Sequence, residues 1–176
     1  MKVLSKNSVM EFVKKTAILW VMIILILILS VISPSFFRGQ NLLNIIKQAS
    51  ITGVIGVGMT FVLITGGIDL SVGSVMALSG TMAASVAVAE KNMPIALVIL
   101  VGVGALCGLI NGIGVSYIGF PPFIMTLGMM TIARGIPLVF TNGTPIFGLS
   151  EEFNMIANSR VLGVPSLVIF LVITVL

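Results

Sequence analysis

A helix needs about 20 mostly apolar residues to cross a bilayer, and runs of that order, broken by Pro, Gly or charge, follow one another along this chain. The first is Ala17 to Ile32, led by Trp20 and closed by Ser33, Pro34 and Ser35. It lacks a convincing small-x-small cleavage site and is read as an uncleaved helix rather than a signal peptide. A second run extends from Ile45 to Thr65, with Lys47 near its start marking the membrane boundary. A third, Leu70 to Ala89, is separated from the second by only Gly66, Gly67, Ile68 and Asp69. That is too little chain for an ordinary loop, so a sharp break or re-entrant turn is predicted there. Glu90, Lys91, Asn92 and Met93 form a polar turn, and Pro94 opens a fourth span reaching Ile118. After Gly119, Phe120, Pro121 and Pro122 comes a fifth, Phe123 to Thr141, which holds Arg134 and Pro137. A polar loop from Asn142 to Gly163 precedes a sixth apolar run that starts at Val164 and reaches Leu176. At 1.5 Å per residue that run gives roughly 20 Å, short of the ~30 Å hydrocarbon core. The predicted fold is an all-α polytopic transmembrane bundle of about five complete spans plus an incomplete sixth.

Composition agrees with this pattern and narrows the function. Of 176 residues, 58% are hydrophobic and 8% charged, with a mean hydropathy of +1.27. So few charges cannot coat a water-soluble surface, which excludes a cytosolic globular enzyme and makes the lipid bilayer the first partner. The chain has no His and one Cys, so no disulfide framework, no His-containing or multi-Cys metal site and no imidazole chemistry are expected. Of the net +4 charge, Lys2, Lys6, Lys14 and Lys15 cluster at the start. They read as an orientation signal and not as a nucleic-acid patch. Residues 1–16 are a cytoplasmic basic tail and residues 17–176 the transmembrane domain. Arg38 then falls on the outer side, against the positive-inside rule, and a re-entrant segment would invert everything after it.

Within lipid, helices associate through small residues that let backbones approach. Gly104, Gly108, Gly112 and Ser116 make such a ridge on the fourth span; Gly73, Ala77, Thr81 and Ser85 make one on the third, and Thr52, Gly56 and Thr60 on the second. All three are expected to pack helices together. The break itself carries more information. Gly66 and Gly67 allow backbone angles closed to other residues, and Asp69 can accept hydrogen bonds from the free N–H groups of a starting helix. A carboxylate near the bilayer needs either that capping role or a polar cavity, and discontinuous helices line solute pathways in transporters. Gly66, Gly67 and Asp69, with Ser71 and Gly73 on the next helix, are therefore gating candidates, and Phe123, Thr126 and Arg134 are further pathway candidates. Arg134 either pairs with Asp69, or snorkels, or caps carbonyls freed by Pro137.

The stretch Gly58 to Ser74, GMTFVLITGGIDLSVGS, resembles the signature of the permease subunits of bacterial ABC importers for ribose, xylose, galactose and related sugars. Asn41, Leu42, Leu43, Asn44, Ile45 and Ile46, followed by Gln48, Ala49 and Ser50, and the segment PPFIMTLGMMTIARG from Pro121 to Gly135, occur in the same order and at similar spacing in that family. The resemblance covers Asn41 to Thr144. It implies a multi-pass protein of the bacterial inner membrane, whose N-terminus the basic flank of the first span places in the cytoplasm. This protein would form a translocation pathway for a monosaccharide such as ribose with a second, identical or different, permease. Two cytoplasmic ATP-binding subunits and an extracytoplasmic sugar-binding protein would complete the system. The permease binds no cofactor, ATP being held by its partner, and the chain has no GxxxxGK[ST] phosphate loop. Such permeases are nearly twice as long, so this chain corresponds to the N-terminal half: a partial sequence, a truncated product that does not transport, or one piece of a split permease. A secondary transporter or channel is the alternative from the broken helix and the intramembrane Asp69 and Arg134. An intramembrane enzyme is disfavoured, because a second Asp, a His or a base beside Ser71 or Ser74 is not visible.

Overall fold

The computed structural model describes residues 14–89, 92–161 and 163–175. Most of the expected basic tail, and Glu90 and Lys91 of the expected turn, lie outside the described residues. The elements are α1 (Ala17–Ile32), α2 (Gly39–Ile64), α3 (Val72–Ala89), α4 (Met93–Ser116), α5 (Pro122–Phe140), α6 (Glu151–Asn158), β1 (Arg160–Val161), β2 (Val164–Pro165) and α7 (Ser166–Val175). The chain divides after Gln48, within α2, into two compact units.

The helices α2 to α5 are each long and apolar enough to cross a membrane. Helix α1 has 16 residues, about 24 Å by the standard rise, and α7 has 10. Among the described residues, then, four helices rather than the expected five have membrane length, and two shorter apolar helices accompany them. The second span begins at Gly39 and not at Ile45. Its first turns hold Gln40, Asn41 and Asn44, polar residues that a helix tolerates and that a search for apolar runs passes over. In the first unit the Asn41 side-chain amide donates to the Phe36 carbonyl at 2.7 Å, fastening the start of α2 to the turn before it. The expected polar loop from Asn142 to Gly163 holds α6 and β1, which pairs antiparallel with β2 just after it, Arg160 opposite Pro165 and Val161 opposite Val164. Helix α6 has the usual reasons to start where it does. The Ser150 hydroxyl accepts from the Phe153 N–H at 3.3 Å, and Glu151 and Glu152 occupy the first turn, at the positive end of the helix dipole.

The core of the second unit is built on α3, which packs along both α4 and α5. Its buried residues are Ser74, Leu78, Ser79, Ala83 and Ala87, nearly all small, so neighbouring backbones can come close. Helices α3 and α4 form an antiparallel hairpin. Ala87 and Ala83 pack with Ala96 near the closed end, Leu78 with Cys107 further along, and Ser71 meets Asn111 at the open end. The turn is set by Asn92, whose side chain accepts from the Ile95 N–H at 3.2 Å, and by Pro94 in the first turn. Helix α5 adds Met129 and Ala133 to the Leu78 cluster. Hydroxyls facing the apolar exterior are satisfied locally, as in Thr81 to the Ala77 carbonyl and Thr131 to the Leu127 carbonyl.

The glycine ridge on α4 departs from expectation. The face of α4 buried against α3 and α5 carries Ala96, Cys107, Asn111 and Gly114. A methyl at Gly104 would touch the Ser79 hydroxyl at 3.6 Å, but one at Gly108 or Gly112 would meet nothing within 4 Å, and Ser116 is exposed. The ridge is rotated away from the packed seam, so within the described residues only its Gly104 end makes a helix contact. Gly108→Ala and Gly112→Ala are accordingly expected to leave the protein as stable as before, or up to about 1 kcal/mol more stable through helix propensity. Thermal unfolding of the purified protein in detergent measures this; a loss above 1 kcal/mol would mean that the ridge is packed.

Candidate functional site

Helix α2 ends by a specific local mechanism. Gly66 has φ +76°; its N–H donates to the Leu63 carbonyl and the Gly67 N–H to the Val62 carbonyl, each at 3.0 Å. These two reverse bonds are the Schellman pattern with Gly66 at the left-handed position. Asn142, at φ 53°, closes α5 in the same way, with its N–H on the Val139 carbonyl and that of Gly143 on the Leu138 carbonyl. After Gly67 the chain runs without regular structure through Ser71, and α3 starts at Val72.

Asp69 organises that start from two residues before the cap position. Its Oδ1 accepts from the Ser71 backbone N–H at 2.7 Å and from the Ser71 hydroxyl at 2.6 Å. Ser71 occupies the cap position itself, since its carbonyl accepts from the Val75 N–H at 2.8 Å. Ser71 is only 1% exposed, and its Oγ also accepts from the Asn111 Nδ2 of α4 at 3.0 Å. From the other side Thr126 of α5, 4% exposed, donates its hydroxyl toward the Ile68 carbonyl at 3.2 Å and the Pro122 carbonyl at 2.9 Å. The irregular segment is thus pinned to both α4 and α5 by polar side chains.

Two hollows flank this cluster. One, of about 440 Å³, is lined by Asp69, Ser71, Ser79, Gly104, Gly108 and Asn111 together with apolar residues that include Ile55. The other, about 360 Å³, is lined by Thr65, Gly67, Asp69, Gly112, Ser116 and Thr126 among others, and shares Asp69, Gly108 and Asn111 with the first. Both volumes fall within the range of small-molecule sites, about 300–1,000 Å³. The glycine ridge of α4 forms part of their walls. Asn111 is 7% exposed, and its Oδ1 is buried without a hydrogen-bond partner. Leaving such an acceptor unpaired costs about 1–3 kcal/mol.

Of the residues singled out from sequence, the fold brings Gly66, Gly67, Asp69, Ser71 and Thr126 to one place, with Gly108, Gly112 and Ser116 beside them. Gly73 and Arg134 lie elsewhere, on a separate hollow of about 550 Å³ with Leu70, Ser74, Ala77, Pro137 and Leu138. Among the described residues no ion pair joins Arg134 to Asp69. The pairing, one of the three alternatives for Arg134, is not made: the two residues line different hollows, and Asp69 is instead engaged by Ser71, two residues away. Phe123 is 53% exposed and lines neither hollow at the break. Asn111 is the residue that sequence reasoning missed. The available signal was an amide in the middle of an otherwise apolar run, which is costly there and marks a polar contact or a pathway.

The chain is 42% identical over 149 residues to the ribose import permease protein of Escherichia coli (strain K12), which covers 82% of this chain and 46% of that one. It is 38% identical over 167 residues to the D-allose transport system permease protein of the same strain, covering 94% and 51%. To the galactose/methyl galactoside import permease protein of Salmonella typhimurium (strain LT2) it is 35% identical over 176 residues, covering 92% and 52%. The chain spans about half the length of the curated relatives it matches. No solved structure matches it. The family described as branched-chain amino acid transport system / permease component matches residues 41–176, and with most of its length inside that match this multi-pass helical chain belongs to the permease family.

Proposed function

We propose that this chain forms part of the permease of an ATP-driven importer for a monosaccharide such as ribose, in a bacterial inner membrane, with its N-terminus in the cytoplasm. The observation that carries the reading is the interruption between α2 and α3. Two membrane-length helices meet there at an irregular, polar segment held by Asp69, Ser71, Asn111 and Thr126, with hollows on either side. Irregular backbone at membrane depth is tolerated where it is buried in protein or lines a cavity. Gly66, Gly67, Asp69, Ser71 and Thr126 serve as the gate, and Gly108, Gly112 and Ser116 as a wall of the path. The similarity to permeases for ribose, allose and galactose supports a neutral polyhydroxylated solute.

Residues 17–176 belong to the transmembrane permease domain, after a basic tail at residues 1–16. The permease works with a second permease subunit, cytoplasmic ATP-binding subunits that hold the ATP, and an extracytoplasmic sugar-binding protein. Catalysis is confined to the ATP-binding subunits. The test is uptake of radiolabelled sugar by liposomes holding the complete permease with its ATPase and binding protein. ATP-dependent uptake that survives collapse of the proton and sodium gradients is the expected result. Uptake that ignores ATP and follows an ion gradient would replace this reading with secondary transport.

A further inference from the structure

We propose that Asn111 contacts the transported solute, its amide oxygen accepting a hydrogen bond from a solute hydroxyl; this rests on the sugar-permease reading above. The orientation of the amide follows from the donors and acceptors around it. Asp69 as a carboxylate can only accept, and its Oδ1 takes both the Ser71 N–H and the Ser71 hydroxyl proton. The single proton of Ser71 is thereby committed, so the Ser71 oxygen has only lone pairs to offer Asn111. The contact at 3.0 Å must then come from Nδ2 and not from Oδ1. Protons run one way along this chain, Asn111 to Ser71 to Asp69, and the far end is left with an acceptor that nothing in the described residues satisfies.

That acceptor belongs to one of the few residues common to both hollows. Passage of a solute requires one hollow or the other to widen, and either movement brings solute to Asn111. A hydroxyl supplies the missing donor and carries no charge into the site. The solute class that offers hydroxyls in every orientation is a polyol or sugar. Oδ1 is buried while both hollows are narrow and is uncovered only as one of them widens, and the bond from Nδ2 to Ser71 keeps the amide in its orientation meanwhile. Asn111 therefore discriminates among solutes by the presence of one hydroxyl, while Ser71 and Asp69 act as positioning residues.

The experiment compares D-ribose, D-allose and D-galactose, and then the monodeoxy analogues of whichever is carried, in liposomes holding the complete importer. The binding protein is loaded to saturation with each sugar, so that translocation and not capture is compared. In the unaltered importer one deoxy analogue is expected to move about three- to tenfold more slowly than its parent, the worth of one hydrogen bond. In Asn111→Ala that ratio is expected to fall to one. A merely structural role slows parent and analogue alike and leaves the ratio unchanged, which overturns the proposal. Should Asn111→Ala fail to assemble, Asn111→Ser carries the same comparison. An unaltered importer that moves every analogue as fast as its parent overturns the proposal without any variant. Failure of the unaltered importer to carry any of the three sugars overturns the sugar-permease reading instead.

Discussion

Asp69→Leu is expected to destabilise the protein by about 2–4 kcal/mol, more than any other change at the break. The substitution removes the acceptor of two short hydrogen bonds and leaves the Ser71 N–H, at the start of α3, without a partner. Once the carboxylate is gone the Asn111 amide can turn over and accept from the Ser71 hydroxyl, which recovers part of the loss and sets the lower end of the range. The Ser71 N–H has no such recourse, because Ser71 is 1% exposed and water does not reach it. Asp69→Asn keeps an acceptor for that N–H and is expected to cost about 1 kcal/mol. Denaturant unfolding of the purified protein in detergent measures both. Equal costs for Leu and Asn would show that the carboxyl group organises nothing.

Gly67→Val is expected to cost about 1–3 kcal/mol by overpacking, and to shift the start of α5. A first methyl at Gly67 would already stand 3.3 Å from Val62 Cγ1, 3.4 Å from the Val62 carbonyl oxygen and 3.5 Å from Pro122 Cβ. The carbonyl cannot move away, since it accepts the Gly67 N–H that ends α2. Gly66 is constrained by a different property. Nothing lies within 4 Å of a methyl placed there, but its φ is +76°, so Gly66→Ala carries only a conformational cost of about 1–2 kcal/mol. Asn adopts this conformation readily, as Asn142 does at the end of α5. Gly66→Asn is therefore expected to be milder than Gly66→Ala, while Gly67→Asn is no milder than Gly67→Ala. Thermal unfolding of the four variants separates the two roles, and the same ranking at both positions would contradict it.

What could be read from the sequence was what depends on neighbours in the chain. The paired glycines and the carboxylate between two apolar runs mark a helix stop and a helix start, because both rest on bonds spanning a few residues. The same locality left the partner of Arg134 open among three alternatives. Opposite charges far apart in the sequence say nothing of distance, and the fold puts Asp69 and Arg134 on different hollows. The glycine ridge was legible as a pattern, but not its face. Which side of α4 meets α3 is decided by Ala96, Cys107 and Gly114 fitting between neighbouring helices, a matter of three-dimensional packing that spacing alone does not set. Asn111 escaped notice because it stands one residue from the ridge, between Ile110 and Gly112. Its significance comes from Ser71, 40 residues earlier.

The face of α4 carrying Gly108 and Gly112 is proposed to line an aqueous path. Single cysteines test it most directly, placed at Gly108 or Gly112 in an importer whose Cys107 is changed to Ala, with Val98 and Val101 as controls on exposed apolar positions of the same helix. An added side chain meets no obstruction at either glycine, so the substitutions report access and not damage. A membrane-impermeant thiol reagent is expected to modify both glycine positions at a rate that ATP and the sugar-loaded binding protein change, and to leave the two controls unreacted. Reaction at Gly108 and Gly112 no faster than at Val98 and Val101 would contradict it.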